Sequence, residues 1–132
     1  MNTASSEGGG VILKVETEEE WYNAVEQAAL TNATIIVKFT AKWCQPCHKI
    51  QPLYEKLAAE KNAALKFVLV DVDDLDEIAA AYDVAILPTF VAVQPTAAGT
   101  TTATVPETYA GSDPKKLKDF CMKISTAAKK EQ

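Results

Sequence analysis

The stretch "KFTAKWCQPCHKIQP", residues 38–52, decides the fold of this chain. Cys44 and Cys47 are separated by two residues and followed at once by His48. Just upstream, "TIIVKFT" (34–40) is β-branched and mostly apolar, as expected of a strand covered on both faces. Downstream, Ile50, Leu53, Tyr54 and Leu57 form one helical stripe between about Gln45 and Asn62, interrupted by Pro52, which should kink it. The cysteine pair therefore sits where a buried strand hands over to a helix. Cys44 falls at the helix N-terminus, where unpaired N–H groups and the dipole stabilise a thiolate, and Cys47 lies one turn further in. That geometry divides the labour of thiol–disulfide exchange: Cys44 attacks a disulfide and Cys47 resolves the mixed disulfide. Pro46, with a fixed φ and no N–H, suits the first turn.

Other chemistries share this spelling. A C-x-x-C-H run also anchors c-type haem, with His48, the only histidine, as one axial ligand and Met1 or Met122 as the second. Such proteins are mostly helical and lack the β pattern seen here. A structural zinc site needs four ligands. Cys44, Cys47 and His48 supply three, and Cys121 belongs to a distant helix, which leaves only a cluster shared between two chains. The plainest reading makes both cysteines core residues; a tryptophan, a proline and a helix terminus around them argue against it.

The rest of the chain reads outward from this junction. "VILKVET" is a strand and "EEEWYNAVEQAAL" a helix with Trp21, Val25 and Ala28 inward and glutamates in its first turn. "ALKFVLVDV" is another buried strand. Asp74 with Glu77 three residues on is a capping-box variant for "LDEIAAAY", whose inner face is Leu75, Ile78, Ala79 and Tyr82. "TFVAV" and "ETYAG" are the last strands, separated by the Thr/Ala-rich loop "QPTAAGTTTATVP" (94–106). Asp113-Pro114 is an N-cap with proline at the first helical position, opening a helix with Leu117, Phe120, Cys121 and Ile124 inward. The order β-α-β-α-β-α-β-β-α predicts an α/β fold: a parallel core with helices on both faces and an antiparallel edge. Its 132 residues make one domain over 11–126, with a flexible tail at 1–10 and a short one at 127–132.

Composition bounds the function. With 13 basic and 18 acidic side chains the net charge is −5, so no clustered cations mark a nucleic-acid binder. No apolar run approaches the ~18 residues of a membrane span. The polar start "MNTASSEGGG" is neither a secretory nor a transit signal. Three cysteines, an odd number, suit a reducing, cytoplasmic compartment better than a secreted disulfide framework.

At this point the sequence resembles the thioredoxin family over about residues 11 to 125. The likeness rests on "WCQPC" for the usual Trp-Cys-Gly-Pro-Cys, on "VDVDD", on "ILPT" and on "YAGSDPKKL". It implies a thioredoxin fold, a central mixed five-stranded sheet flanked by four helices, and a protein-disulfide reductase needing no cofactor. It also implies a cis Pro88 beside the cysteines. By the same likeness Trp43, Leu87, Pro88 and Gly111 rim a substrate groove, joined by Gln45 and Pro46 between the cysteines. The partners implied are thioredoxin reductase or an equivalent electron donor and disulfide-containing client proteins, with the protein a monomer. An oxidase or isomerase is one alternative. A binding module, or an iron–sulfur-holding variant with weak reductase activity, is another.

Three departures stand out. Gln45 replaces glycine and, uncharged, should shift the potential modestly. Lys38 stands where the family usually buries an aspartate, and the lysine that pairs with it is replaced by Leu69. A protonated Lys38 would favour a Cys47 thiolate by charge and make the protein more oxidising. A desolvated, neutral one would act as an amine base, and one that snorkels to the surface would do neither. The loop at 94–106 is longer than usual, as solvated drift or a docking element. His48 reads as a solvated helix residue.

Overall fold

The computed structural model describes residues 11–60, 64–95 and 107–130. Along the chain run β1 (Ile12–Val15), α1 (Glu18–Leu30), β2 (Thr34–Thr40), α2 (Gln45–Ala59), β3 (Leu65–Asp71), α3 (Asp76–Ala81), β4 (Thr89–Val93), β5 (Glu107–Ala110) and α4 (Pro114–Lys130). One five-stranded sheet has the order β1-β3-β2-β4-β5. β1, β3 and β2 are parallel, while β4 runs antiparallel to β2 and β5 antiparallel to β4. The alternating elements led us to expect antiparallel pairing only at the closing hairpin. In fact it begins one strand earlier, because β4 returns against β2 after α3.

Strand β2 lies at the centre, and its alternating side chains build both cores. Ile35, Val37 and Phe39 face α1 and α3, meeting Trp21, Val25, Ala28, Ile78 and Ala79. Ile36 faces α2 and α4, meeting Ile50, Tyr54, Leu117, Phe120 and Ile124. All four β2 side chains are fully buried, and each contributes roughly 1.5–3 kcal/mol of transfer free energy.

The ends of the helices follow from local chemistry. The Thr17 hydroxyl caps α1 by accepting the Glu20 N–H. The first helix closes in a Schellman motif with Asn32 at φ 57°, its N–H and that of Ala33 donating to the Ala29 and Ala28 carbonyls. Asp83, also at φ 57°, closes α3 in the same way. The expected cap on Asp113 forms: its carboxylate accepts the Lys115 and Lys116 N–H groups ahead of Pro114. The expected cap on Asp74 does not. Helix α3 starts from Leu75 without a side-chain cap, because the Asp74 and Leu75 amides both turn back onto the Asp71 carbonyl. Pro52 lies inside α2, which continues through it. The last helix continues past residue 126 to Lys130. The expected tail at 1–10 and nearly all of the 94–106 loop lie outside the described residues. Among those residues, no helix is long and apolar enough to cross a membrane.

Candidate active site

The carboxyl end of β2 delivers the chain into a short loop, Ala41 to Trp43, and then into α2. Cys44 is the N-cap of α2, its Sγ accepting the Cys47 N–H at 3.2 Å. Pro46 follows in the first turn, where a missing N–H costs nothing. The two cysteines are joined as a disulfide with their Cα atoms 5.3 Å apart. Both are buried, Cys47 completely, and they pack with Ala41 against Leu87 and Val72. Gln45 between them is exposed.

Trp43 is 69% exposed, and its indole N–H donates to the Asp73 carboxylate at 3.1 Å. That bond ties the cysteine loop to the loop after β3. Asp73 is itself held by its own N–H, which donates to the Asp71 carboxylate. Facing these is Leu87-Pro88, joined by a cis peptide bond, with Leu87 half-buried and Pro88 buried. The Pro88 carbonyl accepts the Gly111 N–H at 3.0 Å. Gly111 has φ +146°, and a Cβ there would stand 2.8 Å from the Tyr109 hydroxyl. Glycine is therefore required by both backbone and space.

Lys38 does not reach the surface. It is 1% exposed, in register with Leu69 on β3 and Phe90 on β4, so snorkelling is ruled out. Its Nζ donates to the Cys47 carbonyl at 2.7 Å and to Gln51 Oε1 at 2.5 Å, and lies 5.8 Å from the Tyr54 ring centroid. Burial lowers its pKa to about 8, partly opposed by the Glu55 carboxylate. Gln51 in turn donates through Nε2 to Glu55 at 3.2 Å. The Tyr54 hydroxyl lies against the Ile36 and Val68 carbonyls, and burial raises its pKa well above the ordinary value.

His48 is exposed, as expected, with Nε2 against the Lys42 carbonyl at 2.8 Å. The third thiol, Cys121, is buried in the core between α2 and α4, and desolvation pushes its pKa up to about 12. Among the described residues, no cluster of His, Cys, Asp or Glu could hold a metal ion.

Gln51, Glu55 and Asp73 were missed as site residues. Gln51 stands four residues after Cys47 and Glu55 four after Gln51, so helical spacing alone puts all three on one row. Asp73 lies inside the "VDVDD" run that carries part of the family likeness, but nothing in that run sets it apart from Asp71 and Asp74.

A family model described as Thioredoxin matches residues 12–123. A thioredoxin H-type of Brassica campestris is 39% identical over 89 residues, which is 67% of this chain and 72% of that protein. The crystal structure of Fasciola hepatica thioredoxin superposes with a TM-score of 0.70 at 29% identity, covering 85% of this chain and 98% of that one. A poplar thioredoxin h gives a TM-score of 0.74 at 25% identity, covering 87% of this chain and 96% of that one. With the matched fold spanning the sheet, all four helices and the cysteine pair at the head of α2, this chain belongs to the thioredoxin family and is a protein-disulfide reductase of the dithiol–disulfide exchange type.

Proposed function

We propose that Cys44 is the nucleophile and Cys47 the resolving thiol, with reduction of client protein disulfides as the physiological direction. The observation that supports this assignment is the placement of Cys44 Sγ as the cap of α2, beside the helix N-terminal amides, while Cys47 is wholly enclosed. In the first step the Cys44 thiolate attacks a client disulfide. A Cys44–client S–S bond forms, the client S–S bond breaks, and one client sulfur leaves as thiolate. In the second, the Cys47 thiolate attacks Cys44 Sγ, forming the Cys44–Cys47 disulfide and releasing the second client sulfur. Two electrons pass to the client, and the two thiol protons end on its sulfurs, directly or through water.

Trp43, Gln45, Pro46, Leu87, Pro88 and Gly111 form the rim on which an extended client segment lies. Lys38 modulates the thiolate from below. Its ammonium favours the charged, reduced form of the pair, which makes the protein more oxidising than a relative with a carboxylate there. The 11–126 domain acts as a monomer. A separate thioredoxin reductase or equivalent returns the Cys44–Cys47 disulfide to the dithiol, and the odd cysteine count suits a cytoplasmic setting.

Insulin reduction coupled to a thioredoxin reductase tests the reading. Wild type should turn over, and Cys44→Ser should fall to the uncatalysed background. Wild-type activity no higher than that of Cys44→Ser would sink it.

A further inference from the structure

The buried cation beneath the dithiol is not simply present; it is clamped. Lys38 Nζ has two acceptors, the Cys47 carbonyl and Gln51 Oε1. A neutral amine has two N–H groups and an ammonium three, so two acceptors serve either form. Lys38 can thus gain or lose its proton without rearranging its partners. The orientation of the Gln51 amide is set from outside. Its NH₂ is engaged by the Glu55 carboxylate, which turns Oε1, the only atom of that amide able to accept, toward Lys38.

The surroundings leave few competitors for that role. On α2 the titratable groups facing Lys38 are Cys47, Tyr54 and Glu55. Its strand neighbours Leu69 on β3 and Phe90 on β4 do not titrate. Cys121 on α4 acts on Tyr54, and the Tyr54 hydroxyl is committed to the sheet backbone. Among the described residues, the charge that acts on Lys38 beneath the Cys47 turn is Glu55, on the same row of α2 as Cys47 and Gln51.

We propose that Gln51 is a positioning residue which, oriented by Glu55, holds the Lys38 ammonium beneath Cys47 and so sets the pH range over which the dithiol form is favoured. The proposal rests on Cys44 and Cys47 being the redox pair. While Lys38 is charged, reduction places a thiolate near a cation already in place. Once the oxidised protein has lost that proton, reduction must also take up a proton at Lys38, supplied by solvent. The balance is then disulfide plus two electrons, plus the thiol protons, plus one proton at the amine. Each additional proton steepens the pH dependence of the redox equilibrium by up to about tenfold per pH unit.

The test equilibrates the protein with a glutathione couple from pH 6 to pH 10 and measures the reduced fraction by alkylation and mass spectrometry. Dividing the wild-type constant by that of Lys38→Met removes the ionisation of glutathione and leaves what Lys38 contributes, through its own proton and through its effect on the thiols. The ratio should rise where the wild-type dithiol ionises ahead of that of Lys38→Met and then fall above about pH 8, where Lys38 loses its proton in the oxidised protein. Gln51→Leu removes an acceptor of the cation and should move the onset of the fall down by roughly one pH unit. Gln51→Glu supplies a charged acceptor and should move it up by a similar amount. A residue that only filled space would not send the two variants in opposite directions. Exchange that survives in both Gln51 variants with the onset unmoved would overturn the proposal alone, as would a ratio flat throughout. Failure of wild type to exchange with glutathione at all would overturn the redox assignment of the cysteines and this inference with it.

Discussion

The two faces of β2 share one backbone and one degree of burial, yet they hold different chemistry. Toward α1 and α3 the strand presents Ile35, Val37 and Phe39, hydrocarbon meeting hydrocarbon. Toward α2 and α4 it presents Ile36 and then Lys38, an amine within hydrogen-bonding distance of the Cys47 carbonyl. The first face fixes where the strand lies. The second accepts the cost of enclosing a titratable group, and that cost falls against the backbone of Cys47, within the disulfide itself. Hydrocarbon packing and a buried titratable group are thus divided between the sides of a single strand.

Substitutions on each face should separate the two roles, and the largest effect belongs to the hydrocarbon side. Phe39→Ala should lose about 3–5 kcal/mol of stability in urea unfolding. Because Phe39 points away from the dithiol, insulin reduction per folded molecule should stay within about twofold. A pH-dependent loss of activity in that variant would break the division.

On the other face, Lys38→Met should raise stability at pH 7 by about 1–3 kcal/mol, since an apolar side chain of similar length replaces a buried cation. The sign with pH follows from the depressed pKa. Lys38 titrates near 8 in the folded protein and at the ordinary 10.5 once unfolded. Between those values the unfolded chain binds more protons, so wild type gains stability as pH rises through the window. The advantage of Lys38→Met should be full below pH 8 and shrink toward pH 10. Thermal melts of both proteins at several pH values measure it. An advantage that grows with pH would show that Lys38 is not held as described.

The smallest effect concerns a group on the Lys38 side of the sheet but remote from the dithiol. With its pKa near 12, Cys121 should react with iodoacetamide far more slowly than Cys44 at pH 8. Native reduced protein should therefore show no fast labelling of Cys121 by mass spectrometry. Rapid modification there would show that burial alone does not distinguish the site from the core behind it.

Much of this was legible in the amino acids because local rules and the global fold agree. The β-branched run of β2 demanded cover on both faces. Asp113-Pro114 marked a helix start that forms as expected. The cysteine pair identified its own junction. What could not be read was settled by competition between equivalent residues. The run from Asp71 to Glu77 offers several acids as caps for α3, and only the turn of the Asp74 and Leu75 amides onto the Asp71 carbonyl excludes Asp74. The direction of β4 is likewise absent from the alternation of elements, since a helical connection permits either sense. For Lys38 the residue type admitted three behaviours. Its two acceptors on α2 leave only the buried ones, the cation and the neutral amine.

The cap on α2 has one further consequence. The sulfur assigned to attack clients is also the atom that begins the helix, held by the Cys47 amide. A nucleophile anchored in this way has little freedom to search for its target. Exchange requires the three sulfurs to approach a line, so the alignment must be supplied by the incoming chain. On that assignment selectivity should rest on the pliability of the client: a disulfide whose flanking backbone can extend along the proposed rim should be reduced, and one locked in a rigid loop spared.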